Sequence, residues 1–149
     1  NTSRGSVARS ISYLDEESDS ISHENNFVEC LRFAFLAKKS KAAILDLTKW
    51  SEKLASISRD QQKDFLSYCS YLIREAMLIS YSSKSLGSFS SNTDFKIDKL
   101  SPFVHSSNLI EIISLIEDCH YSISRNVNSK IVFTNFAITL TKLINKEEV

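Results

Sequence analysis

The chain has 149 residues, and its 18 lysine and arginine side chains balance 18 aspartate and glutamate side chains to a formal net charge of zero. This balance argues against a nucleic-acid surface spanning the whole domain, although it allows a local basic patch. The length fits a single domain. Two glycines and one proline are too few for many tight turns, so the composition favours long helices over strands.

Three cysteines, Cys30, Cys69 and Cys119, lie far apart, with no CxxC spacing and an odd count. Each lies among apolar residues at helical spacing, which predicts buried free thiols in a reducing compartment. No apolar run approaches the roughly 18 residues of a membrane span. No secretory signal is visible and the chain begins at Asn1 without Met, so we expect a piece of a longer cytoplasmic protein without membrane association.

The predicted elements begin with a short amphipathic helix over residues 5–14 and an acidic, serine-rich linker over 15–22. A second helix is predicted from about Asn25 to Lys39, and a third from about Lys41 to Ile57, because apolar residues recur there every three or four positions. The boundary between the leading segment and the main domain is placed at residue 20.

Two cap patterns mark the next helices. Ser58 with Gln61 forms a capping box and opens a helix that continues to about Ser83, while residues 84–94 read as a loop. Asn108 with Glu111 opens another helix in the same way.

The last helix follows Asn128, and its apolar stripe is the longest unbroken one near the carboxyl end. Its predicted buried face comprises Val132, Phe133, Phe136, Ala137, Leu140, Leu143 and Ile144. No strand pattern competes along the chain. The sequence therefore predicts an all-α fold, a helical bundle of about five main helices plus the short leading helix.

No catalytic, metal-binding or nucleotide-binding residue is predicted, and no cofactor. The P-loop pattern GxxxxGK[ST] is absent. The three histidines are scattered along the sequence. Cys119 and His120 are adjacent, so on a helix their side chains point about 100° apart and are poorly placed to coordinate one metal ion. A Cys-His nucleophile pair stays open, because such partners meet in space and not in sequence; however, the glycine-rich loops that usually build catalytic turns are missing.

Candidate interface or architectural residues lie in two places. Phe33 falls off the apolar stripe of its helix and is a candidate interface contact. The second place is the segment Arg125-Asn126-Val127-Asn128-Ser129-Lys130. There Arg125 ends one helix, one of Asn126 and Asn128 caps the next, and the other takes a left-handed turn. Lys130 is the last of these candidate interface or architectural residues.

Several stretches together resemble a known family. They are GSVARSI at 5–11, RDQQKDFLSY at 59–68 followed by IRE at 73–75, SPFV at 101–104 and RNVNSKIVF at 125–133. Their order and spacing are similar to the carboxy-terminal part of the bacterial DNA polymerase III delta-prime subunit, a clamp-loader family of the AAA+ class. The resemblance covers nearly the whole chain.

The resemblance implies a division of the chain and a role. Residues 1–20 would be a remnant of the AAA+ lid domain with its linker, and residues 21–149 a helical collar domain that holds a pentameric ring together. Ala8 stands where ATP-hydrolysing subunits carry a nucleotide-sensing arginine, and Arg9 is displaced by one position. This departure implies a non-catalytic delta-prime-like subunit and disfavours a motor subunit of the gamma or tau type.

The implied partners are the other clamp-loader subunits, gamma/tau and delta, in DNA replication. DNA and the sliding clamp would be contacted only through the full-length complex. Two alternatives from other classes stay open: a free-standing helical adaptor that binds a partner protein, and an enzyme that uses one of the three cysteines with a histidine.

Overall fold

A computed structural model describes residues 21–37, 39–81 and 100–146. Within these ranges all regular structure is helical and no strand occurs, which confirms the all-α bundle. The helices are α1 over 21–36, α2 Ala42–Ala55, α3 Arg59–Tyr81, α4 Leu109–Ser124 and α5 Ser129–Ile144, with a 3₁₀ turn at Ser101–Phe103 before α4. The predicted leading helix, the boundary at residue 20 and the loop at 84–94 lie outside the described residues.

Three pairs of packed helices define a row. α3 packs on α4, α4 on α5, and α5 on α2, so the spatial order is α3–α4–α5–α2. α1 joins the same core through Phe27, Cys30, Leu31 and Ala34, all of them buried. The row leaves two outer seams, which are called the α2–α5 seam and the α3–α4 seam.

Four large aromatic side chains form the centre of the core. Trp50, Phe65, Phe133 and Phe136 are almost completely buried, and their ring centroids lie 5.9 to 6.4 Å apart. Such pairs add about 0.5–1.5 kcal/mol each beyond their buried area. The indole nitrogen of Trp50 donates to the carbonyl oxygen of Asn26 at 2.8 Å, so this buried polar group ties α2 to α1.

At one end of the bundle, Asn108 links three segments instead of capping α4. It occupies the N-cap position, but its side chain makes no cap hydrogen bond. Its amide nitrogen donates to the carbonyl oxygens of Phe103 at 2.8 Å and Leu143 at 2.9 Å, and its oxygen accepts from the His105 backbone N–H at 3.0 Å. The predicted pairing with Glu111 is therefore wrong, since Glu111 forms an ion pair with Lys146 at 3.0 Å.

At the opposite end, the turn between α2 and α3 is tied to the turn between α4 and α5. The predicted cap is present there, because the Gln61 backbone N–H donates to the Ser58 hydroxyl at 3.2 Å. The buried Gln62 amide donates to the Leu54 carbonyl at 2.9 Å, and its oxygen accepts from the Ser129 hydroxyl at 2.9 Å. These bonds fix the start of α5 against α2 and α3.

Candidate protein-interaction groove

An apolar groove of about 350 Å³ runs along the α2–α5 seam. It is called the α2–α5 groove, and it is lined by Ala37, Ile44, Leu47, Thr48, Ser51, Thr134, Ala137, Ile138, Thr141 and Lys142. The two helices run antiparallel, because Glu52 near the end of α2 forms an ion pair with Lys130 at the start of α5.

The groove is apolar although hydroxyl residues line much of it. The hydroxyl groups of Thr48, Ser51 and Thr141 donate to the carbonyl oxygens four residues earlier in their own helices, at 3.2, 2.9 and 2.7 Å. Such back-bonding satisfies the hydroxyl within the helix. The small side chains therefore expose mainly carbon to the groove and leave room for a close neighbour.

Exposed apolar side chains stand on both walls. Ile44 on α2 is 54% exposed and Ile138 on α5 is 49% exposed. On the same two helices, Leu45 and Ile131 are each 66% exposed, although they do not line the groove. Single exposed apolar residues are ordinary, but two exposed isoleucines that line one apolar groove are typical of an interaction surface.

The charges around the groove are mainly positive. Lys142 lines it, and Lys41 lies one helical turn before Ile44; neither has an ion pair within the described ranges. One turn beyond Thr48 and Thr134, Glu52 and Lys130 form an exposed ion pair at 3.2 Å. Lys130, a predicted architectural residue, therefore lies beyond one end of the groove and is neutralised there.

The predicted segment 125–130 is a helix-to-helix turn. Asn126 has φ 62°, in the left-handed region, and the Asn128 side chain accepts from the Ile131 backbone N–H at 3.2 Å. Arg125 follows the last residue of α4, and its guanidinium lies 5.7 Å from the Tyr121 ring centroid. The structural interpretation of these residues is confirmed, with Asn128 as the cap and Asn126 as the left-handed residue.

Phe33 lies elsewhere. It is half-buried and packs against the hydrophobic core, and it does not line the α2–α5 groove. The groove residues themselves were missed by the sequence analysis. The available signal was the same one used for Phe33: Ile44 and Ile138 fall off the apolar stripes of their helices.

A second groove, of about 440 Å³, lies along the α3–α4 seam. It is called the α3–α4 groove, and it is lined by Leu66, Ser67, Ser70, Arg74, Ile116, Glu117, His120, Tyr121 and Ser124. Its lining mixes a cation, a carboxylate, an imidazole and hydroxyls, as an ordinary hydrated surface does.

The three thiols are buried and free, as predicted, and none lines either groove. Burial raises the pKa of Cys30, of Cys69 and of Cys119, the last to about 12. At neutral pH they are therefore protonated, which is the unreactive form. No group of three His, Cys, Asp or Glu side chains in the described part of the chain is arranged to hold a metal ion.

Comparisons of the chain with protein-family models, with curated proteins and with solved structures found no match. Among the helices described, none is both long and apolar enough to cross a membrane. The arrangement of the α2–α5 groove offers no group for proton transfer or nucleophilic attack other than hydroxyls and one lysine. Chemically, it is suited to covering the apolar face of another molecule.

Proposed function

We propose that this chain is a non-catalytic helical module that assembles with other proteins. More specifically, we propose that it is the collar segment of a delta-prime-like clamp-loader subunit, which joins gamma/tau and delta subunits in a cytoplasmic replication complex. The general role rests on the α2–α5 groove, and the specific one rests on the resemblance of the sequence segments.

The observation that carries the assembly role is the set of exposed isoleucines beside a floor of small side chains. Ile44 and Ile138 lose solvent contact only if another surface covers them, and burying apolar area is worth about 25 cal/mol per Å². An interaction module has this kind of surface, whereas an isolated domain gains nothing from it.

The positions of two resembling segments support the collar role. The segment 59–68 opens α3, and the segment 125–133 forms the α4–α5 turn and the start of α5. They meet where the Ser129 hydroxyl donates to the Gln62 side chain at 2.9 Å, and Arg59 also donates to the carbonyl of Ile123, just before the second segment, at 3.1 Å. Hydrogen bonds between the ends of helices set the angle between those helices. A domain that forms part of a ring must keep this angle constant.

The non-catalytic assignment is supported by the burial of the nucleophiles. Cys30, Cys69 and Cys119 are almost completely inaccessible, and the raised pKa of each thiol keeps it protonated. The rival Cys-His enzyme requires an accessible thiolate next to an imidazole.

The proposal is tested by mixing the full chain with gamma/tau and delta subunits of the same organism and following co-elution in size-exclusion chromatography. The intact delta-prime subunit serves as the reference. Ile138→Glu should remove the chain from the complex, because it places a charge in an apolar interface. Ser70→Glu, in the α3–α4 groove, is the matched control and should still co-elute. A chain that never joins, under conditions where the intact subunit does, contradicts the collar role.

A further inference from the structure

We propose that the α2–α5 groove binds an amphipathic helix of a partner protein whose polar flank is acidic. This inference rests on the proposed function as an assembly module and names the chemistry of the partner at that site. Three features of the groove carry it: the spacing of its apolar walls, its narrow floor and the sign of the charge around it.

The spacing matches two turns of helix. Ile138 lines the groove, and Ile131 lies beyond the groove lining on the same face of α5, seven residues earlier, which corresponds to about 10.5 Å along the helix axis. Thr134 and Thr141 repeat this interval along the floor. A ligand helix with apolar side chains at i, i+3 or i+4, and i+7 covers the same length.

The floor admits a helix closely, and it offers nothing to an extended peptide. Thr48, Ser51 and Ala137 are short, so a neighbouring helix can approach without a clash. α2 and α5 satisfy their own backbone groups by intrahelical hydrogen bonds, so they present no free edge to which a strand could add. Helix-in-groove binding is therefore the mode that fits.

The charge points to an acidic partner. Lys142 lines the groove and Lys41 lies one helical turn before Ile44, and neither has an ion pair in the described part of the chain. Glu52 is already paired with Lys130, and Asp46 lies about 200° around α2 from Ile44, on another face. α5 contains no acidic side chain. Glutamates on the flank of the ligand helix would complement this surface, and lysines would be repelled.

The test measures the binding of three synthetic 18-residue helical peptides to the full chain by fluorescence anisotropy. The first carries leucine at i, i+4 and i+7 with glutamate on both flanks. The second has lysine in place of every glutamate, and the third has the first composition in scrambled order. We expect the acidic peptide to bind about tenfold more tightly than the basic one at low salt, with the preference shrinking as salt rises.

Two variants locate the interaction. Ile138→Glu should remove binding of the acidic peptide. The double variant Lys41→Ala/Lys142→Ala should keep the apolar contact but weaken the acidic peptide by about fivefold, since exposed ion pairs contribute modestly. Ser70→Glu is the control and should bind as the parent chain does. Fluorescence of the buried Trp50 checks that each variant is folded.

Several outcomes would overturn the inference. The basic or scrambled peptide could bind as tightly as the acidic one, or Ile138→Glu could leave binding unchanged. Self-association of the chain that Ile138→Glu removes, and that excludes the peptide, would assign the groove to a second copy. If the parent chain shows no preference for the acidic peptide over the basic one yet still co-elutes with clamp-loader subunits, the inference alone fails. If the acidic peptide binds as expected but the chain never co-elutes with clamp-loader subunits, the clamp-loader role fails and the result favours the helical adaptor.

Discussion

The α2–α5 and α3–α4 seams each leave a groove on the surface of the bundle, but the two grooves differ in chemistry. The α3–α4 groove is the larger, at about 440 Å³ against about 350 Å³. Arg74, Glu117 and His120 line it, and these groups are well accommodated by water. The α2–α5 groove is lined mainly by carbon and flanked by exposed isoleucines.

The proposal that the α2–α5 groove binds a partner therefore rests on the chemistry of the groove and not on its volume. Hydration of Arg74 and Glu117 costs nothing in the isolated chain, whereas hydration of Ile44 and Ile138 is unfavourable until a partner covers them. The hydroxyl residues of the α2–α5 groove do not change its apolar character, because Thr48 and Thr141 direct their oxygens into their own helices. The following predictions test whether the seams differ only at the surface.

The largest effect is expected from removing core side chains beneath each seam. Phe136, under the α2–α5 seam, and Leu66, under the α3–α4 seam, are fully buried. Phe136→Ala should lower the free energy of unfolding by about 3–5 kcal/mol and Leu66→Ala by about 2–5 kcal/mol, because each leaves a cavity. Urea unfolding followed by circular dichroism measures both. A nearly neutral result for one variant would mean that the two seams do not share one core.

The next effect belongs to the α3–α4 side and depends on pH. Cys69 on α3 and Cys119 on α4 have raised pKa values because they are buried, and the ordinary value is 9.0. Below pH 9 both folded and unfolded chains keep these protons, so stability is unaffected. As pH rises from about 9 towards 12, the unfolded chain releases protons that the folded chain retains, so the free energy of unfolding falls.

The matched variant for this prediction is Cys69→Ala/Cys119→Ala. It should show a shallower loss of stability between pH 9 and pH 11 than the parent chain, measured by urea unfolding at each pH. Equal slopes in the two proteins would exclude these thiols as the cause. In the parent chain at neutral pH, alkylation of all three cysteines should become fast only when urea unfolds the bundle.

The helices and most of their buried residues could be predicted from the sequence, whereas contacts between distant segments could not. Periodicity predicted every buried residue of α5. Cap and turn preferences act within a few residues, so the sequence also predicted that one of Asn126 and Asn128 caps α5 and that the other is left-handed. Asn108 was assigned a local cap, but a distant carbonyl, that of Leu143, binds it instead. The sequence did not predict the α2–α5 groove, because its lining residues on α2 and α5 are about 90 positions apart. In addition, threonine is counted as polar in a sequence, although here its hydroxyl is bonded within the helix.

Asn108 provides the third test, since it ties the start of α4 to the end of α5 between the seams. Asn108→Ala should cost about 1–3 kcal/mol, because it removes the side-chain acceptor of the buried His105 N–H and the hydrogen bonds to the Phe103 and Leu143 carbonyls. Asn128→Ala, which removes only an exposed cap, should cost about 1 kcal/mol. Thermal unfolding ranks the two variants. A smaller loss of stability for Asn108→Ala than for Asn128→Ala would contradict the proposal that Asn108 is important for joining α4 to α5.

The smallest effect is expected at Asn126, in the turn that connects the helix of one seam to the helix of the other. Its φ of 62° favours glycine or asparagine, so Asn126→Gly should change the free energy of unfolding by less than about 0.5 kcal/mol and Asn126→Ala should lower it by about 1 kcal/mol. Both folded variants should bind the acidic peptide and the clamp-loader subunits as the parent chain does, because the turn positions α5 without lining the groove. Co-elution lost in the stable Asn126→Gly variant would instead make segment 125–130 a contact surface in its own right, and the assembly face would then extend from the α2–α5 groove past Lys130 to the α4–α5 turn.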